Sequence, residues 1–313
     1  MRIAVFGCGA MGSIYAGLLA TSGHHVTCID RNQAHVDAIN THGLRVSGAS
    51  GDRLVQLKAY THAPDDKVDF LIIALKAAHV SASNDARPML AKTGAVLTIQ
   101  NGLGSADIVA GIFGAERLIV GVAQGFGASL PEPGHSHHND MKAIRMGSYV
   151  QGDNKNLNCI VGAFDEAGFD AEAVNNIEVI QWEKLICNVA YSGPCALTGM
   201  TVGEVLDDPT MGPVSRAAAV EAWNIAKKRG IPIEVDDPVA YIKDFAQRMR
   251  TAKPSVLLDI EAGRLSEIGV INGAVEREAS RVGAAAPVNA TITALVHSLE
   301  ERTLQEKRRP KGH

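Results

Sequence analysis

The sequence predicts an α/β fold: an N-terminal doubly wound parallel sheet followed by an all-helical C-terminal domain. Three observations carry this. The first half alternates short, β-branched apolar runs with runs of helical spacing. A glycine-spaced turn joins the first such pair, at 7–12. From about residue 170 the pattern is helical. Strand–helix alternation argues a parallel sheet covered on both faces. At 313 residues the chain can hold two domains with a core each. We place the boundary at 170: 1–170 for the sheet domain and 171–313 for the helical one.

The elements follow in order. "RIAVFG" (2–7) is a short strand bounded by glycine, and "MGSIYAGLLATSG" (11–23) has helical spacing through Ile14, Leu18 and Leu19. "HVTCID" (25–30) is a second strand, and "QAHVDAINTHG" (33–43) a helix ended by Gly43. "VDFLIIALKA" (68–77), "AVLTIQNG" (95–102) and "ERLIVGVA" (116–123) are the continuous apolar runs of buried parallel strands. Residues 123–152 are dense in Gly, Pro, His and Asn, with two antiparallel segments expected near 121–128 and 142–149 and a turn at "LPEPGH". Beyond these come helices at 176–193, where Pro194 stops the run, at 210–230, and at 237–252 behind an Asp-Pro start signal. One long helix is expected over 253–283, and a last one from 287.

Composition excludes several classes. Net charge is −4, so there is no nucleic-acid footprint. The only basic cluster is the tail "EKRRPKGH" from Glu306, read as part of a frayed, solvated terminus over 304–313. Five cysteines, Cys8, Cys28, Cys159, Cys187 and Cys195, are odd in number and form no C-x-x-C pair. They read as free thiols of a reducing compartment, and with no secretory signal the expected location is cytoplasmic. No uninterrupted apolar run of about 18 residues is present, so no membrane span is expected.

The opening turn carries the most specific signal. Gly7, Gly9 and Gly12 form G-x-G-x-x-G. The first allows a tight strand-to-helix turn, the second lets backbone approach a pyrophosphate, and the third lets helix and strand pack closely. Ala10 and Met11 open the helix, whose N-terminus offers N–H groups and partial positive charge to phosphate. The pattern follows a strand, opens a helix, and is followed about twenty residues on by Asp30, so it reads as a dinucleotide-binding Rossmann turn. Asp30 favours NAD, because a carboxylate there bonds ribose hydroxyls and repels a 2′-phosphate. Arg31 favours NADP for the opposite reason. The balance tips slightly to NADH.

Candidate chemistry in the second half begins at "WEKLICNVAYS". Lys184, Asn188 and Ser192 follow one another at i, i+4 and share one helical face. Either the stripe is solvated or it lines a site; the apolar neighbours Trp182, Leu185, Ile186, Cys187 and Val189 favour the site. Downstream stand Ser255, Asp259 and Glu267. Glu267 lies among Leu265, Ile268, Val270 and Ile271, so it needs a wet pocket or a partner such as Arg264, and both readings stay open. Asn101 follows a buried strand at its C-terminal end, where ligands sit in open α/β sheets; it is equally a turn residue beside glycine. Lys76 ends "FLIIALK" in the same geometry, or snorkels there. "HSHHND" (135–140) lacks the spacing of a metal site, and its residues are read as hairpin-turn residues with no metal.

The ordered set "GCGAMG", "ALKA", "QNGLG", "WEKLICN" and "PSVLLDIEAGRLSEIGVING" resembles the ketopantoate reductase (2-dehydropantoate 2-reductase) family from residue 1 to about 300. The resemblance implies a Rossmann domain and a helical domain like that of 6-phosphogluconate dehydrogenase, with substrate in the cleft between them. It implies reduction of 2-dehydropantoate to pantoate on the route to pantothenate, usually with NADPH. By motif, Lys184 matches the family's general acid, Glu267 its substrate-hydroxyl anchor and Ser255 a carboxylate-binding hydroxyl. Asn188 and Asn101 match its substrate- and nicotinamide-side amides, Asp259 a helix acid, Lys76 a cofactor-side lysine, and Arg31 the arginine that meets a 2′-phosphate. His138 matches a hairpin histidine without a role. Two positions depart: Ser192 stands where the family often has Asn, ahead of a run with Cys195, and Asp30 is unfriendly to NADPH. A homodimer is expected by analogy of fold. The expected activity is reduction of a 2-oxo acid by hydride from NAD(P)H. An NAD-linked dehydrogenase of another 2- or 3-hydroxy acid is the first alternative, and a dinucleotide sensor without catalysis the second.

Overall fold

The computed structural model describes residues 1–125, 127–141, 143–152 and 155–308. The chain divides into two compact units: Met1–Gln100 with Ser105–Ile177, and Asn101–Gly104 with the residues from Glu178 on.

The first unit runs β1 (Arg2–Phe6), α1 (Ala10–Thr21), β2 (His25–Ile29), α2 (Gln33–His42), β3 (Leu44–Gly48), β4 (Arg53–Val55), β5 (Lys58–Tyr60) and β6 (Val68–Ile73). A 3-10 helix (Ala77–Met89) leads to β7 (Leu90–Thr98), α3 (Ser105–Phe113), β8 (Leu118–Ala123), β9 (Gly127–Glu132) and β10 (His135–Asp140). Then come β11 (Ala143–Ser148), α4 (Leu157–Glu166) and β12 (Asp170–Ala173). The main sheet has the order β12-β11-β8-β7-β6-β1-β2-β5. It is parallel except where β11 meets β8. Its central strands are buried on both faces, with Ile3, Val5, Phe70, Ile72 and Leu97 at 0% exposure. That is why they read as unbroken apolar runs in the sequence.

A second sheet, β4-β3-β10-β9, is a finding beyond the sequence reading. It covers the side of α1 turned away from the main sheet, since α1 packs on β3, β9 and β10 as well as on β1 and β2. Helix α1 is therefore buried without a break from Gly12 to Leu19, and carries no polar face. Close approach is needed: a Cβ on Gly17 would lie 2.5 Å from Val46 Cγ2. Residues 135–140 are strand β10 rather than turn residues, because the turn is made one step earlier, at Pro133 and Gly134 (φ +77°). Lys142, at the start of an expected segment, lies outside the described residues.

The second unit contains α5 (Ile177–Thr198), whose first residue counts with the first unit, and α6 (Val202–Asp207). They are followed by α7 (Met211–Lys228), α8 (Pro238–Arg248) and α9 (Ser255–Glu261), a 3-10 turn (Ile268–Val270), α10 (Asn272–Arg281) and α11 (Pro287–Arg308). Its separate core joins Trp182, Leu185, Ile186 and Val189 of α5 to the alanine face of α7, Ile242 and Ala246 of α8, Val256 of α9 and Ile292 of α11. Asp237 caps α8 by accepting from the N–H groups of Val239 and Ala240 at 2.8 and 3.1 Å.

Four expectations change. Helix α5 passes through Pro194 instead of stopping at Gly193, because Tyr191, Cys195 and Ala196 on either side are buried in the core and outweigh the missing N–H. The single helix over 253–283 is two helices: Gly263 adopts φ +59° and ends α9, and the chain turns through 268–270 before α10. The boundary at 170 falls at the start of β12, which pairs in parallel with β11, so the sheet runs past it and the first unit ends at Ile177. Residues 304–308 belong to α11, and 309–313 lie outside the described residues. Among the described residues no helix is long and apolar enough to cross a membrane.

Candidate active site

In the first unit the glycine turn sits at the C-terminal ends of β1 and β2. Gly7 has φ +93°, and a Cβ there would lie 2.7 Å from the backbone nitrogen of Leu75. The N–H groups of Gly7 and Cys8 both bond to the Ile29 carbonyl at 2.9 and 3.0 Å, which fixes the turn against β2. Ser13 N–H is the first to reach back to Gly9 O (2.8 Å), so the N–H groups of Ala10, Met11 and Gly12 stand at the open end of α1, and no acidic residue lies in its first turn. Gly12 is the packing glycine: a Cβ would meet Gly7 O at 2.3 Å. This is a cradle that only backbone can line, and it fits a pyrophosphate.

Asp30 follows β2. Its Oδ1 accepts the Asn32 N–H at 2.9 Å, and its Oδ2 stands 4.0 Å from the point a Gly9 Cβ would occupy. The carboxylate is thus held beside the cradle, while Arg31 is exposed. Lys76, exposed after β6, precedes the 3-10 helix.

In the second unit three sequence candidates meet. Lys184 Nζ donates to Asn101 Oδ1 at 2.8 Å, and Asn101 Nδ2 donates to Glu267 Oε2 at 3.4 Å. One amide therefore joins an ammonium to a carboxylate, each partner matching one end of it. All three side chains are half-buried. Burial pushes the Lys184 ammonium down to about 8, while the Glu267 carboxylate pulls the other way.

Each is positioned by its backbone. Lys184 stands on α5, whose other faces are core. Glu267 precedes the 3-10 turn between α9 and α10, and its carbonyl accepts from Val270 N–H at 3.0 Å. Asn101 is held by the segment it begins: Leu103 N–H donates to Val270 O at 2.9 Å, and Arg277 donates to the carbonyls of Leu103 (3.1 Å) and Gly269. Gly102, with φ +75°, passes so near that a Cβ would be 1.8 Å from Val270 O.

Asn188 and Ser192 continue the α5 face, the first half-buried and the second buried; Ser255, the first residue of α9, is exposed. None of the three bonds to the Lys184–Asn101–Glu267 chain. Arg264 is not the partner of Glu267; it pairs with buried Asp259 at 2.9 Å. The sequence reading missed Arg277 and a buried amide pair. Asn272 donates to Val189 O on α5 (3.1 Å) and to Asn289 Oδ1 (2.9 Å), while Asn289 donates to Ala218 O and Glu221. Their available signal was two asparagines in otherwise apolar helical runs.

Residues 135–140 do not gather around a point: Ser47 Oγ lies between His135 Nε2 (2.8 Å) and His137 Nδ1 (3.0 Å), and buried His138 meets Ser50 Oγ at 3.2 Å. Among the described residues no three His, Cys, Asp or Glu side chains are placed to hold a metal ion.

Comparison with known proteins gives consistent matches. The family model described as "Ketopantoate reductase PanE/ApbA" matches residues 3–151, and "Ketopantoate reductase PanE/ApbA C terminal" matches 176–300. A 2-dehydropantoate 2-reductase of Pyrococcus horikoshii is 32% identical over 301 residues, 96% of this chain and 98% of that protein. Among solved structures, a PanE/ApbA family ketopantoate reductase from Ralstonia eutropha JMP134 superposes with TM-score 0.89 at 28% identity, over 97% of this chain and 99% of that one. D-mandelate dehydrogenase, solved with NADH and anilino(oxo)acetate, does so with TM-score 0.89 at 26% identity and the same coverage.

Proposed function

The chain belongs to the ketopantoate reductase family, and from that premise we propose that it reduces 2-dehydropantoate to pantoate at the expense of a reduced nicotinamide dinucleotide, with Lys184 as general acid. It is an oxidoreductase of the 2-dehydropantoate 2-reductase type. The observation that carries the reading is the hydrogen-bonded run Lys184–Asn101–Glu267.

The backbone cradle of Gly7, Gly9, Ala10, Met11 and Gly12 holds the dinucleotide pyrophosphate, and Asp30 holds the ribose. When bound, the nicotinamide supplies a hydride to the substrate's carbonyl carbon. Lys184 does the rest of the chemistry at the carbonyl oxygen: its ammonium stabilises the negative charge that grows there and then releases a proton to it, leaving a neutral amine and a 2-hydroxy acid. An ammonium lowered to about 8 is a better proton donor than a free lysine and is still charged at neutral pH. Asn101 orients Lys184, and Asn188 and Ser255 hold the substrate carboxylate. Glu267 accepts from the hydroxyl that 2-dehydropantoate carries beyond its ketone. Lys76 and Arg31 serve the cofactor side.

A second reading rests on two observations, the Asp30 carboxylate beside the cradle and the likeness to D-mandelate dehydrogenase. It is an NADH-linked enzyme acting on another 2-oxo acid, with Ser192 widening the substrate site. Steady-state kinetics on 2-dehydropantoate and a panel of plain 2-oxo acids, each with NADH and NADPH, test both. Highest kcat/KM on 2-dehydropantoate supports the first reading, and a faster plain 2-oxo acid with NADH the second. Dinucleotide binding with no turnover of any 2-oxo acid defeats both and leaves a sensor.

A further inference from the structure

The helical unit contains a cavity of about 380 Å³ whose lining includes none of Lys184, Asn101 and Glu267. It opens between the end of α6, the start of α7 and one face of α8, with Tyr191 of α5 at its wall. That volume lies in the range of small-ligand sites.

The lining has two characters. One wall is apolar: the Tyr191 ring, stacked on Phe245 at 6.0 Å between centroids, together with Ile242 and Val239. The Tyr191 hydroxyl is spent on the Ile242 carbonyl at 3.1 Å, so the tyrosine presents its ring. The other wall is cationic. Arg216 and Lys243 both line the cavity, and neither has a hydrogen bond or ion pair among the described residues. The one carboxylate there, Asp207, is taken by Arg250. Between the walls lies Ser215, which is 2% exposed. Its hydroxyl sits beside the Tyr191 phenol but has no partner of hydrogen-bond geometry. A buried hydroxyl with only that neighbour has room for a further hydrogen-bond partner.

We propose that this cavity binds a small organic anion with a compact apolar body, its charged group on Arg216, Lys243 and the Ser215 hydroxyl, and its body against the Tyr191 ring. Guanidinium and ammonium together favour a phosphate or carboxylate head. The cavity admits one such molecule and is too small for a dinucleotide. It lies outside the machinery proposed for reduction and does not depend on that reading.

Phenyl phosphate is the probe, titrated calorimetrically into enzyme saturated with reduced nicotinamide dinucleotide so that the glycine cradle is closed to it. Saturable binding is expected at one per chain, with phenol and inorganic phosphate each weaker by about tenfold or more. The Arg216→Gln/Lys243→Gln double variant keeps its basal turnover and loses the binding by at least about tenfold. Lys184→Ala retains the binding, because that lysine does not line the cavity. The proposal is overturned by absence of saturable binding below about 10 mM, which is weaker than about −3 kcal/mol. It is equally overturned by binding unchanged in the double variant, or by binding lost in Lys184→Ala, which would place the probe with the substrate.

Discussion

At the scale of the residue, Lys184 combines two opposed demands. Burial lowers its ammonium to about 8 and Glu267 limits the fall. In the proposed reduction Lys184 donates the proton and must be charged, so kcat/KM is expected to be level below about pH 8 and to fall about tenfold per unit above it. Lys184→Ala removes the proposed donor and is expected to cost roughly 10²–10⁴ in kcat, with dinucleotide affinity retained. Lys184→Arg keeps a charge that does not titrate here, so the break near pH 8 disappears along with most of the rate. Turnover close to that of the parent in Lys184→Ala removes this lysine from the chemistry.

The same shift predicts stability. The folded value lies below that of an unfolded lysine, about 10.4. Folding is therefore opposed by this group wherever the unfolded chain holds its proton more tightly. That cost is fully present below about pH 8 and is relieved as pH rises from there towards about 10.4. Lys184→Met, inactive, is expected to melt at a higher temperature than the parent at pH 7 and to lose that advantage by pH 10. A lower melting temperature at pH 7 contradicts it.

At the scale of the element, the sequence was most legible where periodicity and a glycine requirement agreed. Strands β1, β2, β6, β7 and β8 are buried on both faces and read as apolar runs, and Gly12 is required because any Cβ would strike Gly7 O at 2.3 Å. Local pattern failed where tertiary packing decides. Strands β3, β4, β9 and β10 are short or half-exposed, and the local pairs β3–β4 and β9–β10 become one sheet only because β3 meets β10 from far along the chain, as Arg45 meets His135. Pro194 looked like a stop, yet burial around it carries α5 onward. Glu267 stood in an apparent long helix, but it lies on a turn, which is why it can reach Asn101. The buried amides Asn272 and Asn289 join α5, α7, α10 and α11, and hold the Lys184 helix to the helix that follows Glu267. Asn272→Ala strands the side-chain amide oxygen of Asn289 and leaves a void, so a loss of about 2–4 kcal/mol is expected in denaturant unfolding. A change under about 0.5 kcal/mol shows that the pair does not tie these helices.

At the scale of the whole molecule, the second unit is completed by a short piece of chain that comes, in sequence, from within the first. Asn101–Gly104 lies in sequence between β7 and α3 of the first unit but packs with the second. Each unit has its own hydrophobic core. Gly102 is where this arrangement is most vulnerable. Its φ of +75° disfavours any side chain, and a Cβ would stand 1.8 Å from Val270 O, a distance no rotamer relieves. Gly102→Ala must therefore push Asn101–Gly104 away from the Glu267–Val270 turn and take the Asn101 amide from Lys184. A displacement of about 1 Å at a positioning group costs on the order of 10² in rate, so kcat is expected to fall at least that far. The cradle of Gly7, Gly9 and Gly12 belongs to the other unit, so dinucleotide affinity is expected to hold. Calorimetry adds a readout that activity lacks: the transition of the helical unit moves down, and the one raised by added dinucleotide stays in place. If both transitions move together, or if turnover survives while Asn101 is displaced, then the amide bridge between ammonium and carboxylate is not what makes Lys184 a donor.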